Sequence, residues 1–180
     1  ALDAKMNIEG NALYRQPRLK ELGGGEAEDA NEAEAARIGV SYIRMDGDIG
    51  CVVNGAGLAM TTMDILHLFG GQAANFLDVG GGADAGRIAG ALRLILTDPA
   101  VTVIFINIFG GILRCDIFAQ GLLEAVKQAE AKVPLVVRLI GTNQEEGKRI
   151  LNRSGLSFIV NDDLESAAAQ AVAIAEGSQS

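Results

Sequence analysis

A chain of 180 residues has room for one ordinary domain with its own core, or for one domain and part of another, which excludes a complete large multidomain enzyme. Hydrophobic residues at 49% and charged residues at 21% place it outside the polar, highly charged compositions that stay disordered. Fifteen Lys and Arg against 23 Asp and Glu give a net charge of -8, so a surface tracking nucleic-acid phosphates would oppose the field of the whole molecule, and no nucleic-acid partner is expected.

Residues 1–38 are polar and irregular, with a turn-like Gln16-Pro17, a glycine run at 23–25 and an acidic, alanine-rich stretch over 26–36. That stretch has helix-forming composition without an apolar stripe, so a solvated helix or linker is expected, with no core of its own. The first residues, Ala1-Leu2-Asp3-Ala4-Lys5, lack Met and resemble neither a signal peptide nor a membrane span, which suggests a piece of a longer protein. From Val40 the pattern changes. Strands are expected over 41–45, 51–54, 74–79, 101–108, 135–139 and 157–160, alternating with helices over 58–69, 85–96, 115–129, 144–152 and 164–175. Ile88, Leu92 and Ile95 share one helical face, and Val101-Thr102-Val103-Ile104-Phe105-Ile106 is the near-continuous apolar run of a strand covered on both sides. Such alternation predicts an α/β fold, a doubly wound, mostly parallel sheet with helices on both faces and ligands at the carboxyl ends of the strands.

Glycines gather at those ends: Asn54-Gly55-Ala56-Gly57, Asp78-Val79-Gly80-Gly81-Gly82, Asn107-Ile108-Phe109-Gly110-Gly111, and Gly141-Thr142-Asn143 after a fourth strand. Glycine there lets backbone N–H groups face a bound anion at the positive end of a helix, so an anion site is expected. Gly55-Ala56-Gly57 with Asp78 at the next strand end partly matches a dinucleotide fingerprint, but Met60 fills the position that needs a third small residue. No cluster ends in the Gly-Lys-Ser/Thr of a Walker loop. Cys51 and Cys115 form no C-x-x-C pair and are expected as reduced thiols, Cys115 a buried one, and the single histidine, His67, falls in a helix and takes an ordinary packing or surface role.

The segments Asn54-Gly55-Ala56-Gly57-Leu58-Ala59-Met60, Asn75-Phe76-Leu77-Asp78-Val79-Gly80-Gly81-Gly82 and Asn107-Ile108-Phe109-Gly110-Gly111-Ile112 closely resemble the succinyl-CoA synthetase beta-subunit family. The resemblance extends through Val133-Pro134-Leu135-Val136-Val137-Arg138-Leu139 and back to Leu2-Asp3-Ala4-Lys5 and Asn11-Ala12-Leu13-Tyr14-Arg15-Gln16-Pro17, covering nearly the whole chain. It implies that residues 1–38 are the end of an ATP-grasp domain and a linker, and that 39–180 form the flavodoxin-like CoA-ligase domain. It further implies an NTP-dependent interconversion of succinate and CoA with succinyl-CoA, through succinyl phosphate and a phosphohistidine on a partner alpha subunit, in a heterodimer or heterotetramer. ATP or GTP would be held mainly by a region preceding this chain. The protein would be cytoplasmic in a bacterium or lie in a mitochondrial matrix, and no membrane partner is expected.

By the same resemblance, Asn54, Gly111, Ile112 and Leu113 match substrate-contacting positions. Gly110 and Gly111 belong to a loop opening a helix toward the phosphohistidine, and Asp3 matches a magnesium ligand. Alone, the chain would be inactive. Ile140 departs from the family pattern, which usually has Glu there, and this puts in doubt a polar contact beside Arg138. Arg114 and Arg138 could serve phosphate or structural ion pairs. A related malate- or citrate-CoA ligase subunit shares these loops. A non-catalytic flavodoxin-like anion-binding module is the other alternative; its phospho-receiver version would lack its acidic acceptor, since Asn107 stands on the central strand.

Overall fold

The computed structural model describes residues 15–22, 30–129 and 132–178. Two helices, α1 (Pro17–Leu22) and α2 (Ala30–Ile38), precede the edge strand β1 (Ser41–Arg44), and β2 (Ile49–Val53), α3 (Ala56–Leu68), β3 (Asn75–Asp78), α4 (Ala85–Leu96) and β4 (Val103–Gly110) follow. The chain then forms α5 (Cys115–Ala129), β5 (Leu135–Gly141), α6 (Gln144–Arg153), β6 (Phe158–Val160) and α7 (Leu164–Ser178). All six expected strands and all five expected helices exist, with ends moved by a few residues.

The six strands form one sheet in the order β1-β3-β2-β4-β5-β6, in which β1 alone runs antiparallel. Counted from β2, the five parallel strands have the flavodoxin-like order, whose switch point lies between the first and third, here β2 and β4. Two cores follow from the two covered faces. On one, β2 and β4 present Val52, Ile104 and Ile106 to Ile88, Leu92 and Ile95 of α4 and Phe118 and Leu122 of α5. On the other, Ile49, Cys51, Val103, Phe105 and Val136 meet Leu66 of α3 and the small residues Ala167, Ala168 and Ala171 of α7. β4 thus contributes alternate residues to both cores, which is why its sequence lacks polar alternation. The amphipathic reading of α4 holds, and Asp84 caps the helix by accepting from the Arg87 N–H at 2.8 Å.

The acidic stretch differs from a freely solvated connector. Ala35 of α2 is buried and Ile38 packs on the core, close enough to Gly90 of α4 that a Cβ there would lie 2.8 Å from Ile38 Cδ1. The helix has no core of its own but joins that of α4, an outcome set by two small or apolar side chains rather than by a stripe. Strand β4 runs two residues past its expected end because Phe109 and Gly110 pair with Ile140 and Gly141 of β5. No helix among the described residues is long and apolar enough to cross a membrane.

Candidate functional site

The carboxyl ends of β2 and β4, on either side of the switch point, carry Asn54 and the pair Phe109-Gly110. The Asn54 carboxamide bridges the two ends. Its Nδ2 donates to the Phe109 carbonyl at 2.8 Å and its Oδ1 accepts from the Phe109 N–H at 2.8 Å. It therefore does not cap α3, whose N-cap is Gly55 with no side-chain hydrogen bond. One N–H and spare carbonyl capacity remain for a ligand.

Gly110 ends β4, and a bend over residues 111–114 leads to α5, which begins at Cys115. The segment Phe109-Gly110-Gly111-Ile112-Leu113-Arg114, expected as the loop that opens a helix, is a strand end and a bend leading into α5. Two contacts clamp the bend to β5: the Thr142 N–H donates to the Gly110 carbonyl at 2.9 Å, and the Cys115 N–H donates to the Thr142 carbonyl at 2.9 Å. Gly110 is sterically required, since a Cβ there would lie 2.6 Å from Cys115 Sγ. Gly111 is not, because its Cβ would meet nothing within 4 Å. Among the described residues, no acceptor is found for the N–H groups of Gly111, Ile112, Leu113 or Arg114. Ile112 is 91% exposed, whereas the Leu113 side chain is buried in the core, so Leu113 can offer a ligand only its main chain.

An ion pair braces the far side of the bend. Arg114 donates to Asp116 through Nε at 3.1 Å and Nη2 at 2.6 Å, and Asn143 Nδ2 reaches the same carboxylate at 3.2 Å. The Arg114 guanidinium holds Asp116 below the ordinary aspartate range, opposed by desolvation and helped by Asn143. Asn143 itself adopts a left-handed backbone with φ 60°, a conformation that Asn tolerates better than most residues. Among the described residues, no carboxylate lies within ion-pair distance of Arg138. Its Nη1 donates to Asn107 Oδ1 at 3.0 Å and its Nε to the Asp162 carbonyl at 3.0 Å, while Asn107 Nδ2 donates to Thr62 Oγ1 at 2.8 Å. Asn107 is therefore a fully buried cross-link between β4, β5 and α3.

In two of the glycine clusters the first glycine is turned to the chain's own carboxylate. The N–H groups of Gly55 and Gly80 both donate to Asp78 Oδ1, at 2.6 and 2.7 Å, so the anion they hold is the chain's own carboxylate. Asp78 is accordingly no ribose ligand in waiting, and the register Val53↔Asp78, not visible from spacing, is what brings it between the two turns. His67 lies in the last turn of α3, at the opposite end of the sheet, beside Asp46, Asp64 and Gln72. Both cysteines are free and buried. Burial pushes the Cys51 thiol up to about 12 and raises Cys115 as well, where desolvation exceeds the opposing backbone hydrogen bond at Gly110. Asp3 lies outside the described residues, among which no group of three or more His, Cys, Asp or Glu could hold a metal.

A doubly wound sheet of this strand order, with a braced bend at its switch point, defines the class of a flavodoxin-like α/β domain. The chain belongs to the CoA-ligase family, whose model matches residues 52–172, a span that includes Asn54, the bend and Asp78. It is 55% identical over 176 residues to the beta subunit of an ADP-forming succinate–CoA ligase from Alteromonas mediterranea, and 54% identical to the same subunit from Brucella anthropi. Those matches cover 98% of this chain but only 45% and 44% of the relatives, so the chain spans a little under half their length. Among solved structures, ATP citrate lyase from Methanothrix soehngenii, in complex with citrate and coenzyme A, matches with a TM-score of 0.75 at 18% identity, over 92% of this chain and 52% of that one. A dinucleotide-forming acetyl-coenzyme A synthetase from Ca. Korarchaeum cryptofilum matches with a TM-score of 0.60 at 18% identity, over 96% of this chain and 43% of that one. At such identities these two share the fold.

Proposed function

We propose that this chain is the carboxyl-terminal domain of the beta subunit of a succinate–CoA ligase, and that the bend over 111–114 holds the phosphoryl group during its transfer. Four N–H groups at the switch point with no acceptor among the described residues, beside the strand end that Asn54 grips, are the observation that carries this proposal. Membership of the CoA-ligase family and relatives named succinate–CoA ligase beta subunit support it.

In this mechanism a histidine of an alpha subunit is phosphorylated by a nucleoside triphosphate and passes the phosphoryl group to succinate. The CoA sulfur then attacks the acyl carbon of succinyl phosphate, and inorganic phosphate leaves. Backbone N–H groups at Gly111, Ile112, Leu113 and Arg114 stabilise the phosphoryl oxygens without a cationic side chain, which suits a chain of net charge -8. The spare N–H of Asn54 is placed to donate to the acyl-phosphate or carboxylate oxygen. Ile112 projects outward to meet the alpha subunit. Magnesium and the nucleotide would be held mainly by a region preceding this chain, with Asp3 contributing a metal ligand as the family resemblance implies. ATP is the preferred nucleotide, in keeping with the ADP-forming relatives.

The test is to purify the full-length subunit with its alpha partner and assay CoA-dependent turnover of succinate, malate and citrate with ATP and GTP. Activity with succinate is expected, and none from this chain alone. Activity confined to malate or citrate would reassign the acid. A stable complex silent on all three would overturn the ligase proposal in favour of a non-catalytic anion-binding module.

A further inference from the structure

We propose that Asp78 is a positioning residue that sets Asn54, and through it the strand end that carries the bend. The inference rests on the function proposed above for that bend. Asp78 stands at the last position of β3, in register with Val53, the last residue of β2. Its Oδ1 accepts two N–H groups, from Gly55 at 2.6 Å and Gly80 at 2.7 Å. Charge-assisted bonds of this kind are stronger than neutral ones.

Neither glycine is needed for room, since a Cβ at either would meet nothing within 4 Å. Both are needed for backbone angle, at φ 111° and 75°, a region that side chains disfavour. The two turns are thus built to aim their N–H groups at one carboxylate. Gly55 is bonded covalently to Asn54, and Asn54 grips both the N–H and the carbonyl of Phe109, which Asp78 itself does not touch. The order of coupling is Asp78, Gly55, Asn54, Phe109, and then the bend.

Amide hydrogen exchange on the isotopically labelled chain reads this coupling without any assay of activity. In Asp78→Asn, which conserves shape and removes the charge, Gly55 and Gly80 should exchange faster. The proposal requires Phe109 to exchange faster too, by roughly tenfold or more. In an Asn54→Ala background, Asp78→Asn should leave Phe109 unchanged, because the link is already cut. Faster exchange at Gly55 and Gly80 with Phe109 unaltered would overturn the proposal, as would an effect on Phe109 that survives Asn54→Ala. Should Asp78→Asn not fold, coupling must still run in reverse, and Asn54→Ala must speed exchange at Gly55. An unchanged Gly55 would then refute it. In the assembled complex Asp78→Asn should lower turnover and leave substrate KM within about twofold. If the wild-type complex is silent on every acid, the ligase proposal falls while the exchange coupling is still judged on its own.

Discussion

Gly110 and Gly111 are neighbours of one residue type with opposite demands. A Cβ at Gly110 would press on Cys115 Sγ, the Leu113 carbonyl and the Thr142 N–H, while one at Gly111 would point into open space. Gly110→Ala should therefore cost about 1–3 kcal/mol as an overpacked contact, and Gly111→Ala should stay within about 0.5 kcal/mol of wild type. Urea denaturation of both variants checks this, and equal stabilities would contradict it. The Cys51 thiol gives a prediction in pH. Its folded pKa, near 12 against an ordinary 9.0, means that the folded chain keeps a proton that the unfolded chain has lost between these values. The stability it contributes is complete below about 9 and falls as pH rises through that window, so Cys51→Ala should flatten the alkaline limb of stability against pH. At this scale the sequence revealed residue types but not their partners. The position of Asp78 after a strand suited a ribose acid, and only the β2–β3 register shows that it faces Gly55 and Gly80.

The elements were largely legible because their periods are clean. The apolar run of β4 and the Ile88, Leu92, Ile95 face of α4 each specify one structure. What local pattern could not show was set by partners distant in sequence. Strand β4 continues through Phe109 because Ile140 stands opposite, and α2 lies against α4 because Gly90 makes room for Ile38. Ile38→Ala should accordingly lower stability by roughly 1–2 kcal/mol, as expected for a partly buried side chain, whereas a freely solvated linker would register no loss. The brace between the bend and the start of α6 depends on the Asp116 carboxylate. Since its folded pKa is depressed, its contribution is present above the ordinary aspartate value of 3.8 and is lost as pH falls through the lower, folded one. The protection factor of the Thr142 amide, measured against intrinsic exchange at the same pH, should fall in acid, and Asp116→Asn should lower it already at neutral pH.

On the scale of the whole molecule, an acidic chain serving phosphate chemistry is reasonable when main-chain dipoles supply the positive potential locally. The sheet brings this about by ending β2 and β4 side by side at the switch point, where Asn54 locks one to the other. Residues from four separate stretches of sequence, around Asn54, Asp78, Gly110 and Thr142, then form one rim. The most direct measurement is the rate at which the phosphohistidine proposed for the alpha subunit forms and discharges in the assembled complex, compared between wild type and Gly111→Trp. The open space around Gly111 lets the variant chain fold, and in the complex that it forms, obstruction of the bend should slow phosphohistidine turnover by roughly 100-fold. Wild-type turnover in an assembled Gly111→Trp complex would contradict the assignment of the phosphoryl group to this bend.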